Sequence, residues 1–382
     1  MDRLIYMDNA ATTPVHPEVY EAMKPYFSEV YSNPSAVYTF AGKAGRAVDE
    51  ARRIIASVIN AKPEEVYFTA GGSESDNWAI IGAAEGNCNK GKHIITTRIE
   101  HHAVLNTCKY LEKHGFEVTY LDVDKYGRVS PEDVENAIRP DTILISVMTA
   151  NNEIGSIQPI EEIGDIAGKH GVLFHTDAVQ AMGHIKIDVE KMNIDMLSAS
   201  AHKLNGPKGV GLMYIRKGIA IPSFIHGGAQ ERGRRAGTLN VPGIVGFATA
   251  ARMAEESMTE RNQYVTGLRD YFIDRVLGEI DGSRLNGDRI NRLPNNVNLS
   301  FPGINGETLL IILDQNGICA SSGSACSSGS LDPSHVLTAI GLSDHEAGSS
   351  IRFTLSEQNT RDDVDYTIDI IKKALITLDS RK

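Results

Sequence analysis

Two residues combine type and spacing in a way that suggests chemistry: Asp177 in "HTDAVQ" and Lys203 in "SASAHKLNGPKG". Each follows a short apolar run, "VLFHT" before the aspartate and "DMLSAS" before the lysine. In an open α/β sheet, ligands sit beyond the carboxyl ends of the strands, so a carboxylate and an amine at consecutive strand ends can converge on one ligand. A buried lysine loses its proton readily, because desolvation disfavours the ammonium form; moving its pKa from about 10.4 to about 7 corresponds to about 4–5 kcal/mol. Such an amine can form a Schiff base with an aldehyde. A solvated loop lysine is the plainer reading, and Gly206, Pro207 and Gly209 weigh against it by defining a tight turn.

Two further stretches carry chemical potential. In "AGGSESDNW", Gly71 and Gly72 let backbone approach a ligand, and Ser73 and Asp76 have the spacing of a capping box. A helix starting there would offer free N–H groups to a phosphate, although an ordinary capped helix has the same signature. In "SSGSACSSGS", one cysteine, Cys326, stands among nine serine, glycine and alanine residues. Neighbours so small pack little around the thiol and leave the backbone many conformations.

The elements that must position these residues alternate. Apolar runs at 65–69, 93–96, 116–121, 142–148, 172–176, 195–200 and 210–215 read as strands. Residues 43–60 follow helical spacing, and "AVLNTCKYLEKHG" and "PIEEIGDIAGKHG" read as helices closing on a glycine. Alternation of this kind predicts an α/β fold, a mostly parallel seven-stranded sheet covered on both faces. One long helical pattern spans 242–277. Beyond it "NNVNLSF", "TLLIILDQNGI" and "SIRFTL" read as strands and "VDYTIDIIKKALITL" as a last helix. We expect a large domain over 15–259 and a smaller α+β domain made of 1–14 and 260–382, including the cysteine loop 321–333.

Composition sets the outer bounds. The net charge of -11 argues against a nucleic-acid or anionic-membrane surface. No window approaches the roughly 20 apolar residues of a membrane span, and the start "MDRLIYMDNAATTP" lacks the apolar core of a signal peptide. Four cysteines without a CxxC pair fit a reducing, cytoplasmic setting. Cys88 reads as a loop thiol, Cys108 as helix packing, and Cys319 has no close ligand partner.

Eight blocks, "YMDNAATTPVHP", "TAGGSESDN", "EHHAV", "NNEIG", "HTDAVQ", "SASAHKLNGPKGVG", "GGAQERGRRAGTLN" and "SSGSACSSGS", occur in this order. Together they closely resemble the cysteine desulfurases of the NifS/IscS type, which are pyridoxal-phosphate (PLP) enzymes of fold type I, aspartate-aminotransferase-like. The resemblance implies that Lys203 carries the cofactor and moves a proton, that Asp177 pairs with the pyridine nitrogen, and that His101, not His102, stacks on the ring. It further implies phosphate contacts from Gly72, Ser73, Ser200 and His202, with Thr238 supplied by the partner of a homodimer. Asn152 and Gln180 would contact the ring side, and Arg352, with Asn152, the carboxylate of the substrate L-cysteine. Cys326 would be the nucleophile, taking sulfur as a persulfide while alanine is released. The long cysteine loop resembles that of desulfurases that deliver sulfur directly to an iron–sulfur scaffold protein of the IscU/NifU type, where Cys326 would serve as a transient iron–sulfur ligand. Two features depart from the family pattern: Tyr38 where many relatives have histidine, and "SEQNT" after Leu355 where a glycine-arginine pair is common. A related PLP lyase or aminotransferase, for example one favouring selenocysteine, is the second reading, and a sulfur- or cluster-binding interaction platform is the third.

Overall fold

A computed structural model describes residues 4–301, 303–322 and 333–379. The first strand, β1 (Ile5–Tyr6), belongs to the C-terminal half and is treated with it. The seven apolar runs then all form strands: β2 (Val66–Thr69), β3 (His93–Thr97), β4 (Glu117–Leu121), β5 (Thr142–Ser146), β6 (Leu173–Asp177), β7 (Met196–Ser200) and β8 (Gly211–Ile215). Among the described residues they make one sheet in the order β2-β8-β7-β6-β5-β3-β4. β8 alone runs antiparallel to its neighbours, so the other six point their carboxyl ends to one side. Every residue of β2, β3, β5, β7 and β8 is buried, as expected for strands covered on both faces.

Helices close both faces. The helix Gly72–Asn87 packs on β5 to β8 and carries Trp78, which is fully buried and meets Tyr67 edge to face at 5.6 Å. On the other side the helix Ala41–Val58 packs on Val241–Glu256 through Ala44, Val48, Ala51 and Ile55. The long pattern at 242–277 is two helices, Val241–Glu256 and Met258–Glu279, which break at Ser257 where its hydroxyl bonds back to the Met253 carbonyl at 2.8 Å. The helix Ile160–His170 ends on Gly171 in the left-handed region, whereas His102–Glu112 ends on Lys113 and Gly115 serves the turn beyond.

A second core gathers both ends of the chain. β9 (Arg284–Leu285), β10 (Asn296–Ser300) and β12 (Ser350–Thr354) form an antiparallel sheet in the order β12-β10-β9. β11 (Ile318–Cys319) pairs in parallel with β1, so Ile5 and Met7 join Phe272, Leu299, Phe353 and Ile368 in one apolar cluster. "TLLIILDQNGI" is not a strand. It forms the helix Gly306–Gln315, begun by Asn305, whose side chain accepts from the Thr308 N–H at 3.2 Å. A continuous apolar run cannot distinguish strand from helix by periodicity; here Leu309 and Leu313 are buried while Ile311 faces solvent, a helical alternation. No helix among the described residues is long and apolar enough to cross a membrane.

Candidate active site

The carboxyl ends of β2, β5, β6 and β7 open onto a cavity of about 240 Å³. Its wall contains Gly72, Ser73, His101, Asn152, Asp177, Gln180, Ser200, His202 and Lys203, residues spread over 132 positions of sequence. Asp177 is the last residue of β6, and Lys203 ends the short turn that follows β7. The lysine Nζ donates to the carbonyls of Ala10 and Ala11 at 2.5 and 2.8 Å, and Gln180 Nε2 donates to the same Ala10 carbonyl at 3.0 Å. The N-terminal segment is held there by Thr13, whose N–H and hydroxyl both donate to the His202 carbonyl at 2.9 Å.

The charged groups are tuned by burial. Asp177 accepts the Val179 N–H at 2.9 Å, but desolvation outweighs that bond and the Lys203 charge and raises its pKa. Asp76, on the adjoining helix, is raised well above the carboxylate range, by desolvation first and by Asp177 second. His101 caps the helix His102–Glu112, with Nδ1 accepting the Ala103 N–H at 3.1 Å. A neutral imidazole bonded in this way carries its proton on Nε2. Burial, then Lys203 and His102, lower His101 to about 4. His202, whose Nδ1 lies 3.1 Å from the Thr12 hydroxyl, is lowered to about 4 by burial and the charges of Lys203 and Lys208.

The expected capping box does not form. The helix starts at Gly72, is capped by Gly71 without a side-chain bond, and leaves Ser73 on the cavity wall. Glu74, in the first turn, instead accepts the N–H of Ala70, the residue before the N-cap, at 2.9 Å. A Cβ at Gly72 would lie 2.5 Å from Val179 Cγ2, so the helix start can approach the loop after β6 only because the residue is glycine.

Two predicted residues stand apart from the cavity wall. Arg352, buried in β12, pairs with Asp8 at 2.9 Å and donates to the Asn152 carbonyl at 3.2 Å, so it sits behind a residue of the wall. Its Nε is buried without a hydrogen-bond partner. Thr238 is exposed on the loop 227–238 and does not line the cavity of its own chain. Cys326 lies outside the described residues. Of the other cysteines, Cys108 is buried and pushed up to about 12, while Cys319 is half-buried on β11.

Sequence reasoning passes over several participants. The spacing of Asp76 suggests a cap; it is instead a buried wall residue with Oδ1 unbonded and only 3.7 Å from His175 Nε2. Glu100, just before "HH", is fully buried, receives the Met148 N–H at 3.0 Å and the Thr97 hydroxyl at 2.7 Å, and is raised by desolvation to about 8. Asp8 stands inside the block "YMDNAATTPVHP", but nothing in that block marks it as a partner of Arg352. The carbonyls of Ala10 and Ala11 have no sequence signal at all.

These residues fit a phosphate-bearing pyridine aldehyde. A helix start with unpaired N–H groups, a glycine that no Cβ could replace, and nearby Ser200 and His202 suit the phosphate. An amine and a carboxylate at neighbouring strand ends suit the aldehyde and the ring nitrogen. Comparison with known proteins agrees. The family model for class-V aminotransferases matches residues 5–367. The chain is 54% identical over 377 residues to a cysteine desulfurase IscS of Clostridium botulinum, covering 98% of this chain and 95% of that one. Among solved structures, a NifS-like protein superposes with a TM-score of 0.93 at 41% identity, covering 98% of this chain and all of the other. SspA in complex with cysteine superposes with a TM-score of 0.82 at 44% identity, over 92% of this chain and 99% of that chain. A matching family model over nearly the whole chain and full-length relatives at this identity lead to one conclusion: the chain belongs to the class-V aminotransferase family, on its branch of NifS/IscS-type cysteine desulfurases.

Proposed function

We propose that the protein is a PLP-dependent cysteine desulfurase that takes sulfur from L-cysteine, releases L-alanine and holds the sulfur as a persulfide on Cys326. The observation that carries this reading is Lys203 and Asp177 facing one cavity from the ends of adjacent strands, with neutral His101 beside them. The similar protein SspA is in complex with cysteine, which supports the same amino acid as substrate here.

PLP, when bound, supplies an electron sink for the Cα–H bond of an amino acid. Lys203 would hold the cofactor and then move the Cα proton, its amine steadied beforehand by two carbonyls of the N-terminal segment. Asp177 would hold a proton on the ring nitrogen. His101 would stack on the ring and, through Nε2–H, donate toward the substrate side. Gly72, Ser73, Ser200 and His202 would bind the phosphate, with Thr238 entering from the partner of a homodimer, and Asn152 and Gln180 would orient the ring. Arg352 would bind the substrate carboxylate once Asp8 gives way. The Cys326 thiolate would take the sulfur atom as the Cβ–S bond breaks, the bonding pair staying with carbon, which gains a proton to become the alanine methyl. We further infer a large cofactor domain over 15–259, a small domain from 1–14 and 260–382, a cytoplasmic location, and an iron–sulfur scaffold protein as acceptor, with Cys326 as a transient ligand.

The test is a pulse of L-cysteine followed by peptide mass spectrometry. One extra sulfur atom is expected on the peptide containing Cys326 and should vanish on reduction. Labelling confined to Cys319 would overturn the assignment of the nucleophile.

A further inference from the structure

The loop 227–238 contains two consecutive non-glycine residues, Glu231 and Arg232, in the left-handed region, with φ of 46° and 58°. Such angles are strained and persist only where surrounding contacts enforce them. The contacts come from the sheet edge. β2 is an edge strand, so the outward main-chain groups of Val66 and Phe68 have no neighbouring strand. Glu231 accepts the Phe68 N–H at 2.9 Å, while Arg52 and Arg232 donate to the Val66 carbonyl at 2.6 and 2.7 Å. Arg52 also forks onto the Glu231 carboxylate at 2.6 and 2.8 Å, and both side chains are almost wholly buried. A buried ion pair thus docks the loop where another strand would otherwise lie.

The loop is tied a second time. Arg235 pairs with Glu74 at 2.8 Å, and Glu74 lies in the first turn of the helix Gly72–Asn87, where it also holds the Ala70 N–H. Gly237, at φ 111°, then redirects the chain, and Thr238 ends exposed and off the wall of its own cavity. A hydroxyl presented outward in this way has no cavity of its own chain to hold it. Its placement has to come from rigidity behind it.

We propose that the buried Arg52–Glu231 pair is a positioning device that sets Thr238 for the phosphate subsite of a second copy of the chain. This rests on the reading of Thr238 given above. Arg52 and Glu231 do not line the cavity, so they act through the loop.

The experiment separates action on the partner from local damage. A Glu231→Gln homodimer is expected to bind PLP about tenfold or more weakly, since misplacement of a contact by about an ångström is felt on that scale. PLP titration followed by absorbance, with borohydride reduction to count lysine-bound cofactor, reads this without recourse to turnover. Dimers of one Glu231→Gln protomer and one Lys203→Ala protomer carry a Lys203 site that receives an intact loop. That site should regain wild-type PLP affinity and about half the turnover of a wild-type dimer, one site of two being complete. Unchanged affinity in the homodimer, or a mixed dimer as weak as the homodimer, overturns the proposal. Thr238→Ala goes through the same pairing. If it is rescued and Glu231→Gln is not, the positioning claim alone falls; if it is not rescued, or the wild-type protein is a monomer, the reading of Thr238 falls too. Should Glu231→Gln not fold, Arg52→Lys keeps the buried charge with a poorer fork and is expected to show the same rescue.

Discussion

The cofactor wall and the Arg352 site lie one residue apart through Asn152, yet they are built on different terms. On the wall, burial drives groups toward neutrality: His101 and His202 are lowered and Asp76 and Asp177 are raised, as is Glu100, which precedes His101 but does not line the cavity. Behind it, Arg352 is equally buried but has a direct partner of opposite charge, Asp8. Neutral histidines beside the Lys203 charge leave the wall ready to receive an anionic group. In the proposed substrate role, this ion pair would first have to exchange one carboxylate for another. On the proposed roles, selectivity for an amino-acid carboxylate would lie with β12, and the chemistry with the ends of β6 and β7.

The largest expected effect breaks the first region. Lys203→Ala should lower turnover by about 10³-fold or more, on the scale of removing a positioned proton-transfer group and covalent anchor. Borohydride should then fix no cofactor to the protein. Steady-state alanine release within about tenfold of wild type would contradict the role given to Lys203.

Next comes the second region, where two substitutions should move in opposite directions. Arg352→Lys loses the fork to the carboxylate and should raise KM about 30- to 100-fold with less change in kcat, as expected for loss of a buried charge contact. Asp8→Asn removes the competing carboxylate and should lower KM by about three- to tenfold while lowering Tm, because it strands a buried guanidinium. Steady-state kinetics with thermal melts distinguish the cases. If Asp8→Asn raises KM as strongly as Arg352→Lys, Asp8 aligns the arginine and does not compete with substrate.

The smallest effect concerns pH and Glu100, buried next to the wall residue His101 in sequence. Glu100 in the fold is raised to about 8 from an ordinary value of 4.5, so between those values the folded state holds a proton that the unfolded state has lost. Its contribution to stability is complete below about 4.5 and is lost as pH rises through about 8. Histidines 101, 175, 184 and 202 are lowered instead, so they give the opposite slope, confined to pH below about 6.5. Between pH 6.5 and 8, Glu100→Gln should therefore gain about 2 kcal/mol relative to wild type, at about 1.36 kcal/mol per pH unit. Denaturant melts at the two pH values measure the difference. A constant difference across that window would mean Glu100 is ionised in the fold.

The loop 227–238 shows how a motif can be legible while its mechanics are not. "GGAQERGRRAGTLN" marks the segment, but only the fold reveals that Glu231 and Arg52, 179 positions apart, meet at the edge of β2. The same limit applies to Asp76 and Ser73: their spacing is that of a cap, and packing against β6 and β7 turns one into a buried acid and the other into a wall residue. The run "TLLIILDQNGI" misleads for a different reason, since an unbroken apolar stretch has no period and only its neighbours decide which face is wet.

The amino-acid sequence by itself determined the seven strands of the main sheet, because β-branched runs bounded by turn residues are local signals. It also marked Asp177 and Lys203 as strand-end groups and, through motif order, the family. Tertiary structure alone decided that Arg352 faces Asp8, that the carbonyls of Ala10 and Ala11 receive the lysine amine, and that burial holds His101 neutral. Those outcomes depend on distances between remote segments and on the exclusion of water, and neither is written in the order of residues along a chain.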